Sequence, residues 1–385
     1  MNRIILLGSL LLVRFTIVAQ SHWSVKTTFA PKEAPNGIIN ASFEIDPKVA
    51  INSRGTAFAF LNERFSGTWG NAANKAITVS YSGKKLAEVE NIFPVTHEIS
   101  QIVTDASGNF WITGMEGERK GDSFPHAVIY QFDSLLNKKL SLSLDSVFYP
   151  IALLPHSASQ FYLTFIGYGP FELFGKKLDK FKEWSQQIAR IDFSSKKVIS
   201  HQQLESTGGI LNDPAFFVMN KDSSFFLIQN TVILRGPDHH DVHLYAFNKK
   251  GSLLTHRHLK GMGELTHLWV RQVEALDGNQ LKIVGYSEDP VNFEKPDVFF
   301  RDKSRPIGKG TTLDNTDESN INYRFEAVYD QKIRLVSYRY SEESEPYSEV
   351  IPEGIVRNGK FEIKFRNISG ELNTSQAPVF ELYKD

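Results

Sequence analysis

Residues Asp105–Leu144 read "DASGNFWITGMEGERKGDSFPHAVIYQFDSLLNKKLSLSL". Gly108 and Asn109 mark a tight turn, and "FWITG" behind them has the apolar content of a buried strand. A polar stretch ending in Phe124-Pro125 follows, then "AVIYQF" (Ala127 to Phe132), a second apolar strand. Asp133 to Asn137 supplies another polar turn. "KKLSLSL" (Lys138 to Leu144) alternates strictly, as a half-exposed strand does. Lysines suit an outer strand, because charge there discourages pairing with a second sheet. With "EISQIVT" (Glu98 to Thr104) in front, the stretch describes one four-stranded antiparallel sheet.

Weaker copies recur along the chain. Their second strands begin near Phe58 ("GTAFAFLN"), Phe110, Phe161 ("SQFYLTF"), Phe225 ("SSFFLIQ"), Leu281 ("GNQLKIVG") and Ile333 ("QKIRLVS"). A strand-type repeat of roughly fifty residues is the signature of propeller blades. One such sheet cannot bury both faces alone, but sheets packed around an axis bury each other. The reading is a single all-β propeller over 20–385, with about six four-stranded blades and seven as the alternative. Strands near "HWSVKTTF" (His22 to Phe29) and "PVFELY" (Pro378 to Tyr383) are left over, to complete a blade or form a degenerate seventh. One segment departs from the pattern: "GKKLDKFKEWSQQ" (Gly175 to Gln187) spaces Leu178, Phe181 and Trp184 as a short helix would. A helix is therefore expected inside the third blade.

The motif Asp, Gly-Asn, aromatic strand, Thr-Gly, Phe-Pro and Phe-Asp in 105–133 resembles the repeat of a bacterial exported beta-propeller family. "DVHLYAFNKKGSLL" and "DGNQLKIVGYSEDP" match that pattern in part, and the remaining units keep only its strand rhythm. The resemblance implies a propeller fold and an exported location, and it implies no reaction.

Composition narrows the function classes. The 385 residues carry 43 Lys+Arg against 44 Asp+Glu, so nothing favours the phosphate neutralisation that nucleic-acid binding rests on. Cysteine is absent, which excludes disulfides, thiolate catalysis, Cys-bound zinc and a lipidated cysteine. The 29 Phe, 13 Tyr and 5 Trp suit pleated, packed strands. The first nineteen residues read as an export signal: Arg3, then the apolar run Ile4 to Val13, then "FTIVAQ" with cleavage expected after Ala19. That run is too short to span a bilayer. A secreted or periplasmic monomer without a membrane span or cofactor is expected.

Candidate site residues lie in the segments that join second to third strands, and at the starts of the innermost strands. The joining segments Asn62–Lys75, Met115–His126, Ile166–Gln186, Asn230–Asp241 and Tyr286–Asp297 look long, whereas turns such as "ASGN" are minimal. Binding groups concentrate on such segments when a rigid scaffold holds them. Trp69, Arg119, Tyr168, Trp184, Arg235 and Tyr286 combine flat rings with charge, as recognition of a glycan, a peptide or a protein partner requires. His97, Glu98, Asp213 and His267 begin innermost strands and are candidates for a channel mouth. There they would bind a ligand or, in the alternative reading, run acid–base chemistry in a metal-assisted hydrolase or lyase. "DHHDVH" offers His239, Asp241 and His243 as weak metal candidates. Neighbouring residues on a strand point to opposite faces, and no further ligand spacing accompanies them. No phosphate-binding glycine loop, HExxH or GxSxG occurs.

Overall fold

A computed structural model describes residues 21–24, 43–65, 71–93, 98–116, 126–144, 149–157, 159–204, 210–211, 215–233, 239–259, 268–287, 323–342, 353–358, 361–366 and 379–384. Five four-stranded blades follow one another along the chain. Blade 1 comprises β2 (Phe43–Ile51), β3 (Ala57–Phe65), β4 (Asn71–Val79) and β5 (Lys85–Glu90). Blade 2 comprises β6 (Glu98–Thr104), β7 (Phe110–Glu116), β8 (His126–Phe132) and β9 (Lys138–Leu144). Blade 3 is built from β10 (Tyr149–Pro155), β11 (Gln160–Leu173), β12 (Lys176–Asp192) and β13 (Lys197–Gln203). In blade 4 the inner strand is broken into β14 (Ile210–Leu211) and β15 (Ala215–Met219), both paired with β16 (Phe225–Ile233). β17 (His239–Phe247) and β18 (Leu253–Leu259) complete it. Blade 5 comprises β19 (Leu268–Leu276), β20 (Gln280–Ser287), β21 (Tyr323–Tyr329) and β22 (Leu335–Glu342).

A further sheet joins the two ends of the chain. β23 (Glu353–Asn358), β24 (Phe361–Arg366) and β25 (Val379–Lys384) pair in sequence order, and β1 (Ser21–Ser24) adds to β25 with Trp23 opposite Phe380. The two leftover strand segments of the sequence thus share one composite sheet. The expected count of six or seven repeat units is corrected to five. Ile333 lies not in a second strand but in the turn before β22, with φ 54°, and that turn leads into the outer strand of blade 5. The long interval between β20 and β21 had mimicked one repeat period.

The expected helix in blade 3 is also corrected, and no helix occurs among the described residues. β11 and β12 form one extended hairpin that turns at Phe174 and Gly175, both at positive φ. Gly167, Gly169 and Phe171 on β11 lie opposite Ser185, Phe181 and Leu178 on β12. Steps of two residues on one strand therefore face steps of four and three on the other. The extra residues are β-bulges, and they reproduce the apolar spacing of a helix without its geometry.

Alternation builds the contacts between blades. Along β7, Phe110 and Ile112 pack with Phe58 and Phe60 of blade 1, while Trp111 packs with Phe161 and Phe193 of blade 3. Blades 3 and 4 meet through Tyr162, Ile188, Phe225, Leu227 and Phe247, and blades 4 and 5 through Phe226, Leu244, Leu281 and Phe325. Phe361 and Ile363 of the terminal sheet cover Ile51, Ala59 and Ile77 of blade 1. Each fully buried Phe stabilises by about 2–3 kcal/mol, and the rings stand in register blade after blade.

One turn design closes the same end of every blade. In Asn52–Thr56, Asp105–Asn109, Asp133–Asn137, His156–Gln160, Asn220–Ser224, Asn248–Ser252 and Asp330–Arg334, the first backbone N–H donates to the last carbonyl. Where the first residue is Asn52, Asp133, Asn248 or Asp330, its side-chain oxygen also accepts two backbone N–H groups of the turn. Gly55, Gly108 and Gly251 take the left-handed position these turns need. The turns also tie blades together: Asn52 Nδ2 donates to the Gly108 carbonyl at 2.9 Å, and Asn358 Nδ2 to that of Ile51 at 2.9 Å.

Blade 5 carries a four-residue charge cluster centred on Glu326. The Glu326 carboxylate receives Arg339 at 2.7 Å, Lys282 at 3.2 Å and Arg324 at 3.2 Å, with its side chain only 12% exposed. Burial alone would raise its pKa, but the bonds from Arg339 and Lys282 outweigh burial and hold it below 4.5. A carboxylate depressed in this way contributes stability in full above its unfolded pKa and loses it as pH falls through the folded one. Stability measured by urea unfolding is therefore expected to drop below about pH 4.5. Glu326→Gln should lower stability at neutral pH and make the acid loss shallower. An unchanged acid slope would remove Glu326 from the account.

Candidate functional site

The two ends of the blades differ in chemistry. Next to the tight turns the interfaces are apolar, with Phe58, Phe110, Phe225 and Phe247 all buried. Farther along the same strands, toward the second-to-third-strand connections, buried polar side chains appear. Blade 1 has Asn74 and Lys75, blade 2 Thr113, and blade 3 Thr164, Gln186 and Gln187. Blade 4 has Gln229, Asn230 and His243, and blade 5 has Ser287. Near the tight turns the buried polar residues are Asn52, Thr56, Asp105, Asn220 and Ser224 of the turns themselves, and Thr78, which donates to the Ser134 carbonyl at 2.7 Å.

Several of these groups hold irregular backbone in place. Asn230 brackets the inner strand of blade 5: its Nδ2 donates to the Val270 carbonyl at 2.9 Å, and its Oδ1 accepts the Val270 N–H at 2.8 Å. The β19–β20 register shifts just there, between Val270 and Gln272, so the side chain replaces ladder bonds that the bulge removes. Asn74 brackets Phe93 in the same way. Lys75 is 3% exposed and reaches Glu88 at 2.6 Å and Glu90 at 3.4 Å. Burial pulls its pKa down, and the two carboxylates more than reverse that.

Four others are left waiting. Thr113 Oγ1, Gln186 Nε2, Gln229 Oε1 and Ser287 Oγ are buried and make no hydrogen bond, although Gln229 does donate from Nε2 to Thr164 Oγ1 at 3.2 Å. They belong to four successive blades and to the same end of each. A buried polar atom without a partner costs about 1–3 kcal/mol, so an ordered water or a ligand group is the natural complement.

Blade 4 adds an imidazole stack. His243 lies opposite His258, and Tyr245 opposite His256, on β17 and β18. The His243 and His258 ring centroids are 4.1 Å apart, and His243 Nδ1 and His256 Nε2 are hydrogen-bonded at 2.9 Å. One nitrogen of that bond must accept, so it breaks if both rings are protonated. His243 is 1% exposed. Its inward neighbour across the sheet is Gln229.

Among the sequence-derived candidates, Tyr286 is half-buried on β20, opposite Trp269 and Arg324. Tyr168 falls on β11, Trp184 on β12, Glu98 on β6, and His239 and Asp241 on β17. The side chains of these five lie outside the described residues, as do Trp69, Arg119, His97, Asp213, Arg235 and His267 altogether. Among the described residues, no three His, Asp or Glu side chains converge as a metal site would require. The sequence reading missed Gln186, Gln229, Thr113 and Ser287. Their signal was a polar residue at an inward position of an otherwise apolar strand, as Gln229 is after Phe225 and Leu227.

No known protein family matches the chain, and no curated protein resembles it in sequence. The likeness is structural. A protein of unknown function from Dyadobacter fermentans superimposes with a TM-score of 0.53 at 8% identity, over 90% of this chain and 96% of that one. Bacillus subtilis levansucrase gives 0.38 at 11% identity, over 66% and 83%. Cobalt-substituted Synechocystis ACO gives 0.42 at 9% identity, over 81% and 65%. The first of these supports the β-propeller fold and, at that identity, the fold alone.

Proposed function

We propose that the chain is an exported bacterial binding protein, a propeller that meets a glycan, peptide or protein partner at the end where second strands connect to third strands. The observation that carries the reading is the set of unpartnered buried groups, Thr113, Gln186, Gln229 and Ser287, at that one end of four successive blades. The opposite end is formed by hydrogen-bonded turns, where Asn220 Oδ1 is also buried and unpartnered. On this reading, Trp69, Arg119, Tyr168, Trp184, Arg235 and Tyr286 would serve the same end, and His97, Glu98, Asp213 and His267 a channel mouth beside it. The export reading rests on the first nineteen residues of the sequence. Secreted or periplasmic material should start at Gln20 by N-terminal sequencing, and an intact Met1 would overturn that part.

The exported protein, applied to a glycan and peptide array, is expected to bind a narrow class of ligands. Gln229→Leu should weaken that binding while the fold persists. Binding that ignores Gln229→Leu, or turnover of array ligands in place of retention, would sink the reading. Turnover would favour the hydrolase or lyase alternative.

A further inference from the structure

A polar recess lies at the opposite end, between blades 3 and 4. It is a cavity of about 220 Å³ whose walls include Tyr162, Arg190, Ser200, His201, Lys250 and Ser252. At about 30 Å³ per water, it holds roughly seven waters or one small solute. No carboxylate lines it, while two permanent cations do.

Its polar groups are incompletely used. Arg190 donates from Nη2 to Gln160 Oε1 at 2.6 Å, which leaves its buried Nε–H without a partner. The guanidinium carbon sits 5.9 Å from the centre of the Tyr162 ring. Tyr162 is 1% exposed, and its hydroxyl proton has no acceptor. Burial pushes that hydroxyl's pKa up, while the charge and hydrogen bond of Arg190 pull the other way. Gly251 forms the floor, where a Cβ would come within 2.5 Å of the Tyr162 oxygen. His201 is committed to Gln187 Oε1 at 2.7 Å. Between blades 4 and 5 a different pair forms, Arg257 of β18 over Tyr329 of β21, where Arg257 donates to the Ile333 carbonyl at 3.3 Å.

A buried guanidinium N–H, a buried phenol and a lysine, with no carboxylate among the lining residues, form a donor-rich set. The geometry points to a binding site for a small oxyanion, a carboxylate or a phosphate, held by Arg190, Tyr162 and Lys250. Planar guanidinium edges match both anions in two-point contact. The site is separate from the proposed ligand face, and either can fail without the other.

Titration calorimetry on the full mature chain, at fixed ionic strength, should use inorganic phosphate, sulfate and glucuronate as separate probes. Saturable 1:1 binding of at least one is expected, and the order among them tells a phosphate source from a carboxylate source. Lys250 is exposed in its turn, so Lys250→Glu should fold normally and weaken binding at least tenfold. Tyr162→Phe should weaken it several-fold. No saturable binding up to about 50 mM, or binding unaltered in Lys250→Glu and Arg190→Met, would overturn the proposal.

Discussion

Replacing Asp105 with alanine is expected to lower the unfolding free energy by about 3 kcal/mol. The carboxylate is 5% exposed and serves four donors. Its Oδ1 accepts the Asn109 backbone N–H at 2.9 Å. Its Oδ2 accepts Asn109 Nδ2 at 3.0 Å, Trp111 Nε1 at 2.9 Å and Gln131 Nε2 at 3.3 Å. Alanine would strand the Trp111 indole N–H inside the interface with blade 3, where the ring lies 4.3 Å from that of Phe161. A double-mutant cycle separates the two contributions. In a Trp111→Phe background the donor is gone, so the cost of Asp105→Ala should fall by about 1–2 kcal/mol. Equal costs in both backgrounds would mean that Asp105 acts through its turn alone.

The second large effect concerns the junction between the chain ends and blade 1. Gly55 has φ +78°, and a Cβ there would stand 2.6 Å from a carbon of the Phe361 ring. Gly55→Ala is expected to cost about 3 kcal/mol, from left-handed backbone strain of about 1–2 kcal/mol and overpacking of similar size. Gly278 is the built-in control, with φ +74° and nothing within 4 Å of its would-be Cβ. Gly278→Ala should cost only the strain, about 1 kcal/mol. Guanidinium unfolding of both variants gives the difference, which is the steric pressure of the terminal sheet on blade 1. Two equal costs would show that the Phe361 ring yields freely.

The opening stretch was legible because its cues agree. The Asp105 turn, the apolar "FWIT" and the lysine-edged "KKLSLSL" all call for one sheet, and one sheet forms. Where cues were degenerate, the sequence misled. Leu178, Phe181 and Trp184 have helical spacing because bulges on β12 add residues between cross-strand partners, and periodicity alone cannot tell a bulge from a turn of helix. Ile333 has a repeat-like position because the segment between β20 and β21 sets it about one period after Leu281. The composite sheet was half legible: both leftover strands were visible, but pairing across the full chain length leaves no local trace. The candidate site residues were chosen for ring and charge, features that a sequence displays directly. Gln186 and Gln229 escaped that choice, since a buried amide is recognised by what surrounds it rather than by its neighbours in sequence.

The central claim is that ligand meets the end of the blades marked by the unpartnered polar groups. Amide hydrogen exchange on the exported protein, with and without its strongest array ligand, tests it most directly. Protection is predicted in 66–70, 117–125, 234–238 and 288–322, the connections between second and third strands, with the turns at 52–56, 105–109 and 248–252 unchanged. Protection confined to those turns, or an array without any binder, would contradict the account.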